Sequence, residues 1–115
     1  MIKVGVIGYG MSAKVFHLPL ISDNDQFQLT AICTSQNQLV SEKYPSISIY
    51  PKVGEFIQHS GVDLVVITTP NDTHFAIVKS CLENGLHVVI EKPMTATSVE
   101  AEVLVKLAEK HQLTL

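Results

Sequence analysis

The stretch VGVIGYGMSA, residues 4–13, decides the fold of this chain. It begins as a run of β-branched residues, which predicts a buried strand, and the run stops at Gly8, where a turn is expected. Three of the six glycines in the chain lie between Gly5 and Gly10. Helix-period residues follow directly. The stretch therefore predicts a strand, a glycine turn and a helix in immediate succession.

Short apolar runs alternate with helix-period segments along the rest of the chain. After the first strand, strands are predicted at residues 29–33, 47–50, 64–68 and 88–90, and residues 113–115 are a candidate for the start of another. Helices are predicted at residues 11–21, 38–43, 53–59, 75–82 and 99–110. Parallel strands need helical crossovers and are buried on both faces. The alternation thus predicts an α/β domain with a doubly wound parallel sheet, the Rossmann type of fold.

Three local signals refine the helices. Pro19 is expected to bend or end the first helix, because proline has no N–H to donate. Thr97 and Glu100 have the spacing of a capping box at the start of the last helix. The apolar face of that helix is predicted to be lined by Val99, Val103 and Leu107, with Leu104 and Ala108 beside them.

Composition narrows the functional classes. The chain has 115 residues, is 46% hydrophobic and carries a net charge of −3, which describes a single globular domain with no basic stripe for nucleic acid. No apolar run approaches the roughly 20 residues that span a bilayer. Cys33 and Cys81 lie far apart in apolar surroundings, which indicates buried core residues and neither a zinc site nor a disulfide. These features favour a cytoplasmic protein.

Residues 8–13, GYGMSA, have the form G-x-G-x-x-A between a predicted strand and a predicted helix, the context of a dinucleotide-binding turn. Gly8 would permit the tight turn, Gly10 would admit a pyrophosphate against the backbone, and Ala13 would let helix and strand pack closely. A plain strand-turn-helix corner is the alternative. The side chain of Tyr9 would either cover the cofactor or only pack. The predicted cofactor-binding residues of this turn are Gly8, Tyr9, Gly10, Met11, Ser12 and Ala13.

The end of the second strand bears on the choice of cofactor. NAD-binding domains place an acidic residue there to hold the ribose hydroxyl, whereas this chain has Thr34 and Ser35. The missing carboxylate favours NADP over NAD, with the two hydroxyls as donors to the extra phosphate. The chain contains no arginine, so the only charge that could assist is Lys43. Turn chemistry explains Thr34 and Ser35 nearly as well.

Two further stretches point to a family. VDLVVITTPNDTH at 62–74 ends a strand in T-P-N with a histidine three residues later, and GLHVVIEKPMT at 85–95 ends a strand in E-K-P. With the glycine turn and FHLPLI at 16–21, the chain resembles the nucleotide-binding half of the glucose-fructose oxidoreductase and inositol dehydrogenase family, Gfo/Idh/MocA, over essentially its whole length. The resemblance implies an oxidoreductase that uses NAD or NADP on sugars, cyclitols or related polyols.

The resemblance also implies roles for the strand ends. Lys92 is expected beside the reacting carbon, where it would hydrogen-bond the substrate oxygen and help relay its proton. Glu91 is expected to be structural, and the Lys92-Pro93 peptide is expected to be cis. The nicotinamide half of the cofactor would meet residues at the carboxyl ends of two strands. These residues are Thr69, Pro70, Asn71, His74, Glu91, Lys92 and Pro93.

Other residues near these ends have structural interpretations. Asn71 or Asp72 is expected to cap the helix that follows. For His74, a hydrogen-bonded position near the helix start is preferred to a role as general base. His17 is expected to pin the first helix to a neighbouring loop.

Members of the family are much longer than this chain, with a second α+β domain that supplies most of the substrate pocket. Residues 1–115 are therefore expected to be a dinucleotide-binding domain truncated before that domain, able to bind cofactor without turnover. The cut would leave exposed apolar surface, a candidate site for homo-oligomer formation. A non-catalytic dinucleotide sensor is the alternative, and a domain kept only for assembly is a third.

Overall fold

Five parallel strands form a single sheet at the centre of the molecule, and the computed structural model describes residues 1–115. The strands are β1 Ile2–Ile7, β2 Phe27–Cys33, β3 Ser48–Tyr50, β4 Leu64–Ile67 and β5 His87–Ile90. They lie in the order β3-β2-β1-β4-β5, and every neighbouring pair is parallel. The order turns back between β1 and β4, where ligands of such sheets bind. The predicted doubly wound sheet is confirmed.

Helices connect the strands. A π-helical turn at Ala13–His17 leads into α1 Leu18–Asp23, and a 3-10 turn at Asn71–Thr73 leads into α4. The remaining helices are α2 Asn37–Lys43, α3 Val53–His59, α4 His74–Glu83 and α5 Ser98–Lys110. None of them combines the length and the apolar character needed to cross a membrane.

Two apolar cores cover the two faces of the sheet, which is why the strands are predominantly apolar in sequence. On one face, helices α3, α4 and α5 contribute Phe56, Leu82 and Leu104 to a cluster that also contains both cysteines. On the other face, the first helix and α2 contribute Leu18 and Val40. Burial raises the pKa of Cys33 to about 11, and burial together with Cys33 raises that of Cys81 to about 12.

Pro19 does not end the first helix, which was one of the two outcomes expected of it; the other, a bend, stays a prediction. Helical residues continue past it to Asp23, and Pro19 lies in the first turn of α1, where a missing N–H costs little. The irregularity lies just before the proline. There the N–H of Leu18 donates to the carbonyl of Ala13, five residues back, which is the hydrogen bond of a π turn.

The predicted face of α5 is also wrong in part. Leu104 and Ala108 are buried against α4, whereas Val99 and Val103 are 70% and 42% exposed. The apolar residues of this helix cover a wide arc, and contact with α4 selects one edge of it. The predicted cap is confirmed, because the N–H of Glu100 donates to Thr97 Oγ1 at 3.2 Å.

Residues 113–115 do not form a strand. They lie beside β5, where the N–H of Val88 donates to the carbonyl of Thr114 at 3.0 Å. A single backbone hydrogen bond of this kind does not make a ladder.

Exposed apolar side chains lie on the first helix and on the last strand. Phe16 and Leu20 are 55% and 71% exposed, and Val89 of β5 is 42% exposed. Leu20 and Val89 line one shallow groove with Val66. Association of copies through this surface stays a prediction.

Candidate functional site

The glycine turn follows β1 directly and lies against the end of β4. Gly8 has a φ of +104°, a conformation that side chains disfavour, and a Cβ there would lie 2.6 Å from Thr68 Oγ1. Its N–H donates to the carbonyl of Cys33 at 2.9 Å. The tight turn predicted at Gly8 is present, and both its backbone conformation and its packing require glycine.

Gly10 is required for neither reason, since no atom lies within 4 Å of where its Cβ would be. Its carbonyl accepts a hydrogen bond from the N–H of Lys14 at 3.1 Å, which makes Gly10 the residue that precedes the helix. The N–H groups of Met11 and Ser12 have no backbone acceptor, as expected in a first helical turn. The turn thus presents open backbone donors at the positive end of a helix dipole.

Two residues of this turn, Tyr9 and Ala13, have buried side chains. Ala13 is fully buried, so the close approach of helix to strand is confirmed. The Tyr9 ring is 6% exposed in the same apolar cluster, and Lys14 Nζ lies 4.8 Å from its centroid. Burial of the ring favours packing over a role as a cover for a ligand. The side chain of Met11, in contrast, is 73% exposed.

A hydrogen bond between a side chain and the backbone shapes the loop after β2. Thr34 is 8% exposed, and its hydroxyl oxygen accepts from the N–H of Gln36 at 3.1 Å. Ser35 is exposed. Lys43 ends α2, about 9 Å along the helix from this loop, and its ammonium lies 5.8 Å from the ring centroid of Tyr44. Of the two predicted hydroxyl residues, Ser35 is therefore the one whose side chain is exposed to a ligand.

Thr69 and Pro70 begin a compact turn after β4. The Thr69 hydroxyl donates to Thr73 Oγ1 at 2.7 Å, because the Thr73 proton is committed to the carbonyl of Pro70 at 2.6 Å. The prediction that Asn71 or Asp72 caps the helix is wrong. No side chain caps either the 3-10 turn or α4, since the 3-10 turn itself leads into the helix. Asn71 is left exposed at the sheet edge.

His74 connects the ends of β4 and β5. Its side chain is fully buried, Nε2 lies 2.9 Å from the carbonyl oxygen of Thr69, and Nδ1 lies 2.8 Å from that of Pro93. The structural role predicted for this residue is confirmed, and no part of its ring reaches the surface. The Lys92-Pro93 peptide is cis, as expected.

Glu91, directly after β5, receives three hydrogen bonds. Its Oε2 accepts from Ser12 Oγ and from His17 Nε2, both at 2.7 Å, and its Oε1 accepts from the N–H of Lys92 at 3.1 Å. The bonds from His17, Ser12 and Lys92, in that order, lower the pKa of Glu91 from 4.5 to about 2. His17 does pin the first helix to a neighbouring segment, as predicted. The contact of Ser12 with Glu91 was not predicted.

Lys92 presents a free ammonium at the same edge of the sheet. Its side chain is exposed and takes part in neither of the two ion pairs of the molecule, His17–Glu91 and Glu102–Lys106. Its backbone is held by Glu91 on one side, and the carbonyl of the next residue contacts His74 on the other. A cation on a fixed backbone can stabilise a developing negative charge on a ligand.

Comparison with known proteins identifies the family. The model of the Gfo/Idh/MocA oxidoreductase family, described by its NAD-binding Rossmann fold, matches residues 2–115. This chain belongs to that family. Two dehydrogenases are among its relatives. The scyllo-inositol 2-dehydrogenase (NADP(+)) IolW of Bacillus subtilis is 39% identical over 99% of this chain and 32% of its own length. The galactose 1-dehydrogenase of Pseudomonas fluorescens is 32% identical over 91% of this chain and 33% of its own length.

Solved structures of the family agree with the fold. The structure of YvaA from Bacillus subtilis has a TM-score of 0.95 and 38% identity, and the match covers all of this chain and 34% of that one. The chain thus spans about a third of the length of its Gfo/Idh/MocA relatives.

Gly5, the first glycine of the opening stretch, has a different role from the other two. A Cβ at Gly5 would lie 2.5 Å from Phe56 Cζ and 3.0 Å from Val62 Cγ1, so this glycine makes room for α3 against the sheet. The pairing of β1 with β2 also shifts register between Val4 and Gly5. A glycine inside a β-branched run was the available signal for such a close approach.

Proposed function

We propose that this chain binds a nicotinamide dinucleotide and is the cofactor-binding part of an oxidoreductase that interconverts a CH–OH group and a carbonyl on a sugar, cyclitol or related polyol. The observation that carries the proposal is the open turn at Gly10, beside the ends of β4 and β5. Membership of the Gfo/Idh/MocA family supports the same conclusion.

The residues at the turn fit the diphosphate of such a cofactor. The backbone N–H groups of Met11 and Ser12 would hold it, since they have no backbone acceptor and lie at the start of a helix. A Cβ at Gly10 would occupy the approach that glycine leaves open. The nicotinamide half would lie toward Asn71 and Lys92, whose side chains are exposed at the neighbouring strand ends.

NADP is the proposed cofactor in preference to NAD. No carboxylate follows β2 that would repel a 2′-phosphate, and the exposed Ser35 hydroxyl can donate to one. Thr34 would contribute mainly by shaping the turn, because its hydroxyl oxygen is already an acceptor for Gln36. The relative IolW is a dehydrogenase that uses NADP.

Lys92 is the proposed catalytic residue. When bound, the cofactor would supply or accept a hydride at its nicotinamide ring. The Lys92 ammonium would donate a hydrogen bond to the substrate oxygen, stabilise the charge that develops there, and help relay the proton. The polyol class of substrate rests on relatives that act on scyllo-inositol and galactose.

Calorimetric titration of this chain with NADPH and with NADH tests cofactor binding. We expect heat with both and a lower Kd for NADPH. No heat with either nucleotide would refute the proposed site, and a lower Kd for NADH would refute the preference for NADP.

Substitution of Lys92 tests the chemistry. In the protein that carries this chain at the length of its relatives, Lys92→Met is expected to reduce turnover of a polyol by about 10²-fold or more while NADPH still binds. Lys110→Met, which removes an exposed lysine at the end of α5, is the matched control and should leave turnover unchanged. Cofactor binding without turnover in the unsubstituted protein would instead indicate a dinucleotide sensor.

A further inference from the structure

Three parts of the site meet at the carboxylate of Glu91. The residue directly follows β5. Its Oε2 accepts hydrogen bonds from the Ser12 hydroxyl and from His17 Nε2, which both lie on the first helical segment. Its Oε1 accepts a hydrogen bond from the N–H of Lys92. Ser12 also belongs to the glycine turn proposed to hold the diphosphate. One carboxylate therefore lies between the anion-binding turn and the lysine.

The π turn explains how Ser12 and His17 reach the same carboxylate. Residues five positions apart on a regular α-helix point about 140° away from each other. The π turn at Ala13–His17 has hydrogen bonds that span five residues, as between Leu18 and Ala13, and it brings such residues onto one side. The irregular turn thus directs two donors toward β5.

We propose that Glu91 is a positioning residue that couples the glycine turn to Lys92, so that a diphosphate bound at the turn changes the placement of the lysine. This inference rests on the proposed function and deepens it. The path has two links, from the Ser12 hydroxyl to Oε2 and from Oε1 to the N–H of Lys92.

The chemistry of the two links supports the coupling. Ser12 would use its backbone N–H for the diphosphate and its hydroxyl for Glu91, so a shift of this residue on binding acts on the carboxylate. The carboxylate is planar, and displacement of one oxygen displaces the other. At 2.7 Å the two bonds to Oε2 are short, as hydrogen bonds to ionised groups are, and the Glu91 side chain is only 30% exposed.

No residue of the molecule pairs with the side chain of Lys92. The Lys92 ammonium has no ion-pair partner, so its position depends on its backbone. That backbone is fixed by Glu91 before the cis peptide and by the contact of His74 with the Pro93 carbonyl after it. A change at Glu91 is therefore transmitted to the Lys92 main chain directly.

The test uses 2′-phosphoadenosine 5′-diphosphate, which carries the diphosphate and lacks both the nicotinamide ring and the ribose that bears it. The part of the cofactor proposed to lie toward Lys92 is therefore absent from this ligand. Backbone amide shifts of the 115-residue chain are followed by ¹H–¹⁵N NMR during titration. We expect the amide signals of Gly8, Gly10 and Lys92 to move in the unsubstituted chain.

Substitutions distinguish coupling from a general loss of structure. Glu91→Gln and Ser12→Ala should each lose most of the Lys92 shift while the Gly10 shift remains. Ser12→Thr, which keeps the hydroxyl, should retain it. Glu109→Gln, the same change of charge at an exposed site on α5, is the control and should behave as the unsubstituted chain. If Glu91→Gln fails to fold, the Ser12 pair alone decides the question.

Each other outcome has a defined meaning. A moving Gly10 signal with a stationary Lys92 signal would overturn the coupling and leave the cofactor site intact. A Lys92 shift that persists in Ser12→Ala would also overturn it. No shift at Gly8 or Gly10 would refute the dinucleotide site itself, and the coupling with it.

Discussion

Substitution of the two turn glycines by alanine separates backbone architecture from ligand binding. At Gly8 an alanine would adopt a φ of +104°, which costs about 1–3 kcal/mol in a side-chain-bearing residue. Its Cβ would also displace Thr68 Oγ1 from 2.6 Å, and Thr68 would lose a hydrogen bond to Ile7 worth about 1 kcal/mol. Gly8→Ala should therefore destabilise the fold by about 2–4 kcal/mol, which lowers Tm by roughly 8–16 °C in a chain of this size.

Gly10→Ala should behave in the opposite way. Its Cβ meets no atom within 4 Å, so the cost to folding is at most about 1 kcal/mol, the preference for glycine over alanine before a helix. The same Cβ would block the approach of the diphosphate and cost at least one charge-assisted hydrogen bond. That loss is about 1.5–3 kcal/mol, which raises the Kd for NADPH about tenfold or more.

Thermal unfolding by circular dichroism and calorimetric titration with NADPH measure the two effects on the same preparations. The expected pattern is a large fall in Tm for Gly8→Ala and a large rise in Kd with a nearly unchanged Tm for Gly10→Ala. An unchanged Kd in Gly10→Ala would refute the proposed place of the diphosphate. An unchanged Tm in Gly8→Ala would refute the account of the turn.

Three further predictions concern the rest of the molecule. Because burial raises the pKa values of Cys33 and Cys81 to about 11 and 12, iodoacetamide should label neither thiol in the folded chain at neutral pH and both thiols in denaturant. Mass spectrometry measures the labelling, and rapid labelling of the folded chain would contradict the prediction. The pKa of Glu91 is about 2 when folded and 4.5 as a free group, so its stabilisation is complete above pH 4.5 and lost as the pH falls toward 2. Allowing for solvent screening of a side chain that is 30% exposed, Glu91→Gln should lower the free energy of unfolding by about 1–2 kcal/mol at pH 7. The free energy of unfolding, measured in urea at a series of pH values, should then fall less steeply below pH 4.5 than in the unsubstituted chain. An unchanged fall would contradict this prediction. Gly5→Ala should cost about 1–3 kcal/mol through the 2.5 Å approach to Phe56 Cζ, and Phe56→Leu in the same chain should recover part of the lost stability in the same urea experiment.

Local rules predicted the sheet and the glycine turn because both depend on neighbouring residues. Each strand was a predominantly apolar run, and the structure has all five within two residues of the predicted bounds. The turn at Gly8 followed from a glycine that directly ends a strand. The face of α5 did not follow, since Val99 and Leu104 are both apolar and only contact with α4 decides between them.

The candidate site could be predicted as a set of strand ends but not as a set of side-chain directions. The sequence makes Thr34 and Tyr9 candidates for the cofactor, with a turn and core packing as their alternatives, and the structure has the Thr34 hydroxyl in a turn and the Tyr9 ring in the core. A serine, threonine or tyrosine near a ligand can either contact that ligand or stabilise the surrounding protein, and the sequence does not distinguish these two roles. The structural role expected for His74 is the one that the structure shows, since both ring nitrogens lie near main-chain carbonyls.

The link between the turn and the lysine depends on tertiary structure alone. Ser12 occupies a position of the G-x-G-x-x-A pattern that the pattern leaves open, and its partner Glu91 lies 79 residues away. β4 separates β1 from β5 in the sheet, so the first helix must cross its end for the two residues to meet. The helix does so with a π turn that hydrophobic periodicity does not encode. A sequence with the same glycines and the same E-K-P segment but a regular first helix would therefore keep both the glycine turn and the lysine. In that sequence His17 would lose its contact with Glu91. Only Ser12 would then connect the carboxylate to the first helix.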